Sequence, residues 1–148
     1  MDNILYDLYP LITALIAMLL AQIIKTIYFY SKHNDLHWKG FFSSGGMPSA
    51  HSAMVTALTT AIAFKDGFFS SIFSVAVVFS LITLYDAAGI RRAAGKQAEV
   101  LNRIIEDFFK GKGLNIPKLT ELLGHTPLEI LAGVLLGIGV AFLTYKIF

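Results

Sequence analysis

The sequence predicts an all-α integral membrane protein, a helical bundle of four transmembrane helices with an additional amphipathic helix at the interface. Three observations predict it. Apolar residues make up 55% of the 148 residues, above the roughly 45–50% usual in soluble domains. Charged residues are only 15%, and they gather between Gly89 and Lys118 while long stretches carry none. Four segments, Tyr9 to Tyr30, Pro48 to Phe64, Phe68 to Ala87 and Pro127 to Tyr145, approach the ~20 apolar residues that cross about 30 Å of hydrocarbon. Strands of a membrane barrel would show as short alternating segments instead. At this length the chain is read as a single domain over residues 1–148.

The first segment differs from a secretory signal, because Asp2 and Asp7 stand where a positive region would be and the apolar run lacks a cleavage site. It is read as a retained helix. If it ends near Tyr30 and the second begins at Pro48, the loop between them lies on one face of the membrane. Lys65-Asp66-Gly67 then turns on the opposite face, the third helix returns near Asp86, and the fourth leaves again. Nine Lys and Arg residues (Lys32, Lys39, Arg91, Arg92, Lys96, Arg103, Lys110, Lys112, Lys118) fall on the first face, against Lys65 and Lys146 on the other. The positive-inside rule makes the first face cytoplasmic, in the cell's inner membrane, and puts both termini opposite it.

Between the third and fourth spans, Ala94, Ala98, Leu101, Ile104, Ile105 and Phe108 share one side at helical spacing, with Glu99–Arg103 and Glu106–Lys110 as pairs four apart. That predicts an amphipathic helix over 94–110. Ala53, Ala57 and Ala61 in the second span, and Gly133 and Gly137 in the fourth, recur every four residues. Such small faces let backbones approach closely in lipid, within the bundle or, as a second use, in a homodimer.

With no cysteine in the chain, disulfides, thiolate chemistry and cysteine metal sites are excluded. A net charge of +2 does not suit nucleic-acid binding. The informative polar residues are those the membrane makes expensive. Lys25, His51, Asp86 with Arg91 and Arg92, and His125 with Glu129 lie on four different helices, all near the same face. Such convergence favours a site. The segment Ser44-Gly45-Gly46-Met47-Pro48-Ser49-Ala50-His51 ends in a helix start, where backbone N–H groups and the dipole suit an anion. Pro48 is expected in the first turn and Ser49 as a donor. Glu129 follows His125 by four residues, so its carboxylate can hold one ring nitrogen and leave the other as base or nucleophile. Lys25, Arg91 and Arg92 supply donors for phosphate oxygens. Positive-inside flanking charge accounts for the two arginines equally well.

In this order the elements resemble the phosphatidic acid phosphatase type 2 superfamily, relatives of the vanadium haloperoxidases, and more closely its small divergent branch. The resemblance runs from about Ala21 to Gly139. The superfamily's Pro-Ser-Gly-His motif reads here Pro48-Ser49-Ala50-His51, and its final His with an Asp four residues on reads His125 with Glu129. Tyr85-Asp86-Ala87-Ala88-Gly89-Ile90-Arg91-Arg92 and Gly124-His125-Thr126-Pro127 look like the divergent branch itself. Lys25 lacks the Arg-Pro of the first motif, Lys32-His33 standing in its place. Arg91 and Arg92 are both candidates for the arginine of the last motif.

The resemblance implies a lipid phosphatase needing no metal or other cofactor. By that implication His125 attacks phosphorus, Glu129 orients it, and His51 acts as general acid and then base. Lys25, Arg91 or Arg92, Ser49 and the Gly45-Gly46 backbone would bind the phosphoryl oxygens. Phosphatidylglycerophosphate is the first expected substrate, followed by phosphatidate or polyprenyl pyrophosphate. Two rivals are a lipid-phosphate binder or transporter without turnover, and a metal site formed by His51 and His125 with His33 or His37.

Overall fold

The fold is that of a computed structural model, which describes residues 2–33, 46–109, 118–119 and 124–148. Among them the regular structure is entirely helical: α1 (Asp2–His33), α2 (Ala50–Asp66), α3 (Ser71–Ala88), α4 (Ile90–Phe109) and α5 (Pro127–Tyr145). A membrane helical bundle is the architecture the sequence predicted. Three stretches have the length and apolar character to cross a bilayer: Ile4–Ser31, Ser71–Phe109 and Pro127–Tyr145. The remaining helix, α2, has 17 residues, about 25 Å at 1.5 Å per residue. It sits at the centre, against α1, α3 and α5.

Element ends differ from expectation in ways the caps explain. α1 starts about two turns earlier than Tyr9 and carries Pro10 in its interior. α2 starts at Ala50 rather than Pro48, because Ser49 is its N-cap and accepts from the Ser52 N–H. Pro48 therefore precedes the cap and is not in the first turn. Ser70 caps α3 in the same way by accepting from Phe73 N, and α4 follows almost directly through Gly89.

The packing inverts that of a soluble protein. Large side chains such as Leu19, Ile27, Val75, Ile82, Leu135 and Phe142 point outward, where lipid tails meet them. The buried cluster is Ala17, Ala21, Ala53, Ala57 and Val140. Lipid leaves little hydrophobic drive between helices, so close van der Waals approach has to hold them. A Cβ on Gly133 would lie 2.5 Å from Ser49 O, and one on Gly137 would strike Ala53 O and lie 2.9 Å from Ala57 N. The small-residue faces expected from the sequence thus pack on each other within one chain.

Hydroxyl groups stitch the other contacts. Thr13 and Thr144 join α1 to α5 at 3.0 Å. Thr59 and Ser80 join α2 to α3 at 2.7 Å, and Ser80 also donates to Val55 O. At one end of the bundle, Lys65 Nζ donates to Asp7 and the Tyr9 and Phe148 rings meet at 5.5 Å. Both chain ends and the α2–α3 turn are therefore together, and the N-terminal ends of α2 and α5 lie at the other end.

Candidate active site

The site is built where α2 and α5 begin. The Ser49 N–H donates to Glu129 O at 3.1 Å, locking the two helix starts together. The Gly133 contact with Ser49 O lies one turn further along and makes this approach feasible. α5 opens with a capping box: the Glu129 N–H donates to Thr126 Oγ1 at 3.3 Å, and the Thr126 N–H donates back to Glu129 Oε2 at 3.1 Å.

That same Glu129 oxygen lies 3.1 Å from His125 Nδ1. An ionised carboxylate can only accept, and against one a neutral imidazole carries its hydrogen on Nδ1 and keeps its lone pair on Nε2. His125 is buried, and its backbone N–H donates to Ala87 O at 3.1 Å, which ties the histidine to the end of α3. The ring is thus held from two sides, by a carboxylate and by its own main chain.

Lys25 reaches this level from α1. It is buried, and the Glu129 carboxylate lies near enough for its charge to act on the ammonium. Gly46 passes directly over it: a Cβ there would lie 3.1 Å from Lys25 Cε, and the backbone φ of +99° disfavours any other residue. His51 stands exposed in the first turn of α2, two residues after Ser49. Arg91 and Arg92 occupy the first turn of α4, just beyond the Ala87 carbonyl that receives His125, and Arg92 is exposed.

The structure therefore brings His125, Glu129, Ser49, Lys25 and Gly46 into one linked set, with His51, Arg91 and Arg92 on elements attached to it. Gly45, His37 and the side chains of Arg91 and His33 lie outside the described residues. Ser49 departs from its expected part. Its hydroxyl is fully buried and accepts from both Ser52 N and Ser52 Oγ, the latter at 2.9 Å, as a helix cap does. Among the described residues no three His, Asp or Glu side chains converge as a metal site would need.

Some members were missed in the sequence. Thr126 was readable, since Thr-Pro-Leu-Glu is a capping-box pattern. The Ala87 carbonyl had no signal, because a backbone acceptor leaves no mark in the residue type. Asn102 was also missed. Buried on α4, it donates to Leu119 O and accepts from Leu119 N, both at 2.9 Å.

Fold and site together define an integral membrane helical bundle with a histidine–carboxylate pair beside a buried lysine. The chain belongs to the Divergent PAP2 family, whose match runs over residues 7–140. The resemblance read from Pro48 to His51 and from His125 to Glu129 is thereby shown at the level of the family. The chain is also 43% identical over 141 residues to the uncharacterized membrane protein YuiD of Bacillus subtilis (strain 168), covering 88% of this chain and 89% of that one. No solved structure matches it.

Proposed function

We propose that this protein is a lipid phosphate phosphatase that works through a phosphohistidine intermediate. The carrying observation is the His125–Glu129 pair, whose 3.1 Å contact leaves Nε2 as the nucleophilic nitrogen. In the first step Nε2 attacks phosphorus and the bond to the lipid oxygen breaks, with His51 giving that oxygen a proton. Glu129 balances the charge that grows on the imidazole. In the second step His51 takes a proton from water, the water oxygen bonds phosphorus, the P–N bond breaks, and phosphate leaves. Lys25, the arginines of α4 and the Gly45-Gly46 backbone hold the phosphoryl oxygens. The cationic surroundings favour an anion there over a metal cation, so the proposed reaction uses none.

A site at the end of a lipid-exposed bundle suits an amphiphile whose tail remains in the membrane. The proposed placement is the inner membrane, with the site on the cytoplasmic face and both termini opposite. Phosphatidylglycerophosphate is the first proposed substrate, ahead of phosphatidate and polyprenyl pyrophosphate. The test is phosphate release by purified protein from these lipids with excess chelator. Wild type should turn over, and His125→Ala should fall by at least the ~10²–10⁴-fold that a positioned proton-transfer group alone supplies. Saturable lipid binding without any release would replace the phosphatase by a binder or transporter. Residual turnover of His125→Ala near the wild-type rate would remove His125 as nucleophile.

A further inference from the structure

At the end of the bundle away from His125, α1, α2 and α5 enclose a cavity of about 300 Å³ lined by Tyr6, Tyr9, Lys65, Tyr145 and Phe148. That is the lower end of the roughly 300–1,000 Å³ usual for ligand sites. Its walls are fixed by contacts of their own. Tyr9 is buried, its hydroxyl donates to Ala141 O at 3.3 Å, and its ring lies 5.5 Å from that of Phe148. The Tyr145 ring is packed 4.9 Å from Phe64.

Among the described lining residues Lys65 alone is charged, and its side chain is only 16% exposed. An ammonium has three hydrogens to donate. Among the described residues its acceptors are the Asp7 carbonyl at 3.1 Å and Asp7 Oδ1 at 3.3 Å, which engage two of them. The Tyr6 ring, 5.4 Å away, covers another side of the cation. Tyr6 and Tyr145 are about half exposed and can bring hydroxyl donors to the same space. The cavity therefore joins a cation and hydroxyls to aromatic walls, which suits an anion carrying a small uncharged substituent.

The surroundings say where such an anion comes from. Tyrosines gathered at the ends of membrane helices mark the boundary between hydrocarbon and headgroups. Leu5, Leu8 and Ile147, each next in the chain to a lining residue, are exposed and offer acyl chains a surface. The anion a bilayer supplies at that depth is a phosphodiester. No carboxylate is among the described lining residues to receive an amine, and Tyr6 already faces Lys65, so a choline or ethanolamine group is poorly matched.

We propose that this cavity binds the headgroup of an anionic phospholipid, with a phosphodiester oxygen accepting from Lys65 Nζ and the uncharged substituent among the tyrosines. The lipid belongs to the leaflet opposite the His125 site and ties the ends of α1, α2 and α5 together. The Asp7 carboxylate, close to the same ammonium, opposes the anion. None of this depends on whether the protein releases phosphate.

The experiment is lipid titration of the delipidated protein in detergent, with bound lipid counted by native mass spectrometry. Phosphatidylglycerol is compared with phosphatidylcholine of the same acyl chains and with soluble glycerol phosphate. Wild type should hold phosphatidylglycerol more tightly than either. Lys65→Met should weaken that binding by about tenfold to a hundredfold, as loss of a hydrogen bond to a charged group does, while Lys65→Arg should retain most of it. Asp7→Asn should strengthen it by up to about fivefold. Lys25→Ala, at the other end, should leave it unchanged. Equal affinity for phosphatidylcholine, or wild-type affinity in Lys65→Met, would overturn the proposal. Glycerol phosphate binding as tightly as the lipid would overturn the lipid as occupant, and loss in Lys25→Ala alone would place the bound lipid at the His125 site.

Discussion

The two halves of this bundle are held by different means. α1, α2 and α5 meet through alanines and glycines, with backbones so close that Gly133 and Gly137 have no room for a Cβ. α3 buries only Ala76, Ser80 and Ala87, and α4 rests on α3 and on Leu119. The proposed nucleophile, its carboxylate and the buried lysine belong to the tight half, whereas the arginines belong to the loose one. The groups proposed to carry the chemistry thus sit where backbones lock, and the arginines proposed to hold the phosphate sit where the packing is sparser.

The sharpest way to break that contrast is to add one methyl to the tight half. Gly137→Ala would push a Cβ into Ala53 O and to 2.9 Å from Ala57 N. Both are backbone atoms, which cannot turn aside as a side-chain tip can. The cost should reach or exceed the upper part of the ~1–3 kcal/mol typical of overpacking. Gly139, two residues on, has nothing within 4 Å of its Cβ position. Gly139→Ala should therefore be neutral, or stabilising by up to the ~1 kcal/mol by which alanine exceeds glycine in a helix. Thermal unfolding in detergent compares the two; equal effects would mean that the close approach of α2 and α5 does not hold the bundle.

Much of this was legible beforehand. Apolar runs near 20 residues revealed the helices because a bilayer imposes one length on every span. The His125–Glu129 pair was legible because a spacing of four places two side chains on one helical face, and the glycine and alanine repeats were read as packing. The boundary of α2 was misplaced for a physical reason: Pro48 and Ser49 both suit a helix start, and only geometry shows that the serine caps while the proline precedes. What stayed hidden was carried by backbone groups. The Ser49 N–H on Glu129 O and the His125 N–H on Ala87 O join residues far apart in sequence, and any residue but proline could supply them. Asn102 was hidden because its partner is likewise a main chain, and an asparagine on the polar side of a helix looks like an ordinary solvated residue.

A smaller effect is expected where hydroxyls hold α2 to the loose half. Thr59 and Ser80 lie 2.7 Å apart, and each has a helix carbonyl in reach, Ala76 O and Val55 O, so one hydroxyl donates to the other while the second donates to its carbonyl. Hydrogen bonds between membrane helices average only about 0.6 kcal/mol in double-mutant cycles, with a maximum near 1.7. Thr59→Val combined with Ser80→Ala should cost about that much in the same unfolding assay and leave lipid binding intact. A loss as large as that of Gly137→Ala would mean that α3 is as firmly held as α5, and the division into halves would fail.

The smallest effect belongs to the end of the bundle remote from the site. Lys65 Nζ meets Asp7 twice, at the carboxylate oxygen (3.3 Å) and at the backbone carbonyl (3.1 Å), and lies 5.4 Å from the centre of the Tyr6 ring. The Asp7 side chain is 72% exposed, so the ion pair itself should be worth no more than the ~0–1 kcal/mol of a surface pair. Asp7→Asn removes the charge and leaves the backbone acceptor and the ring in place. Lys65→Met removes all of these contacts at once, so it should be the costlier change, while neither alters phosphate release. Were Asp7→Asn the more damaging of the two, the ion pair and not the carbonyl would be fastening α1 to α2, and the remote end would depend on charge as the site end does.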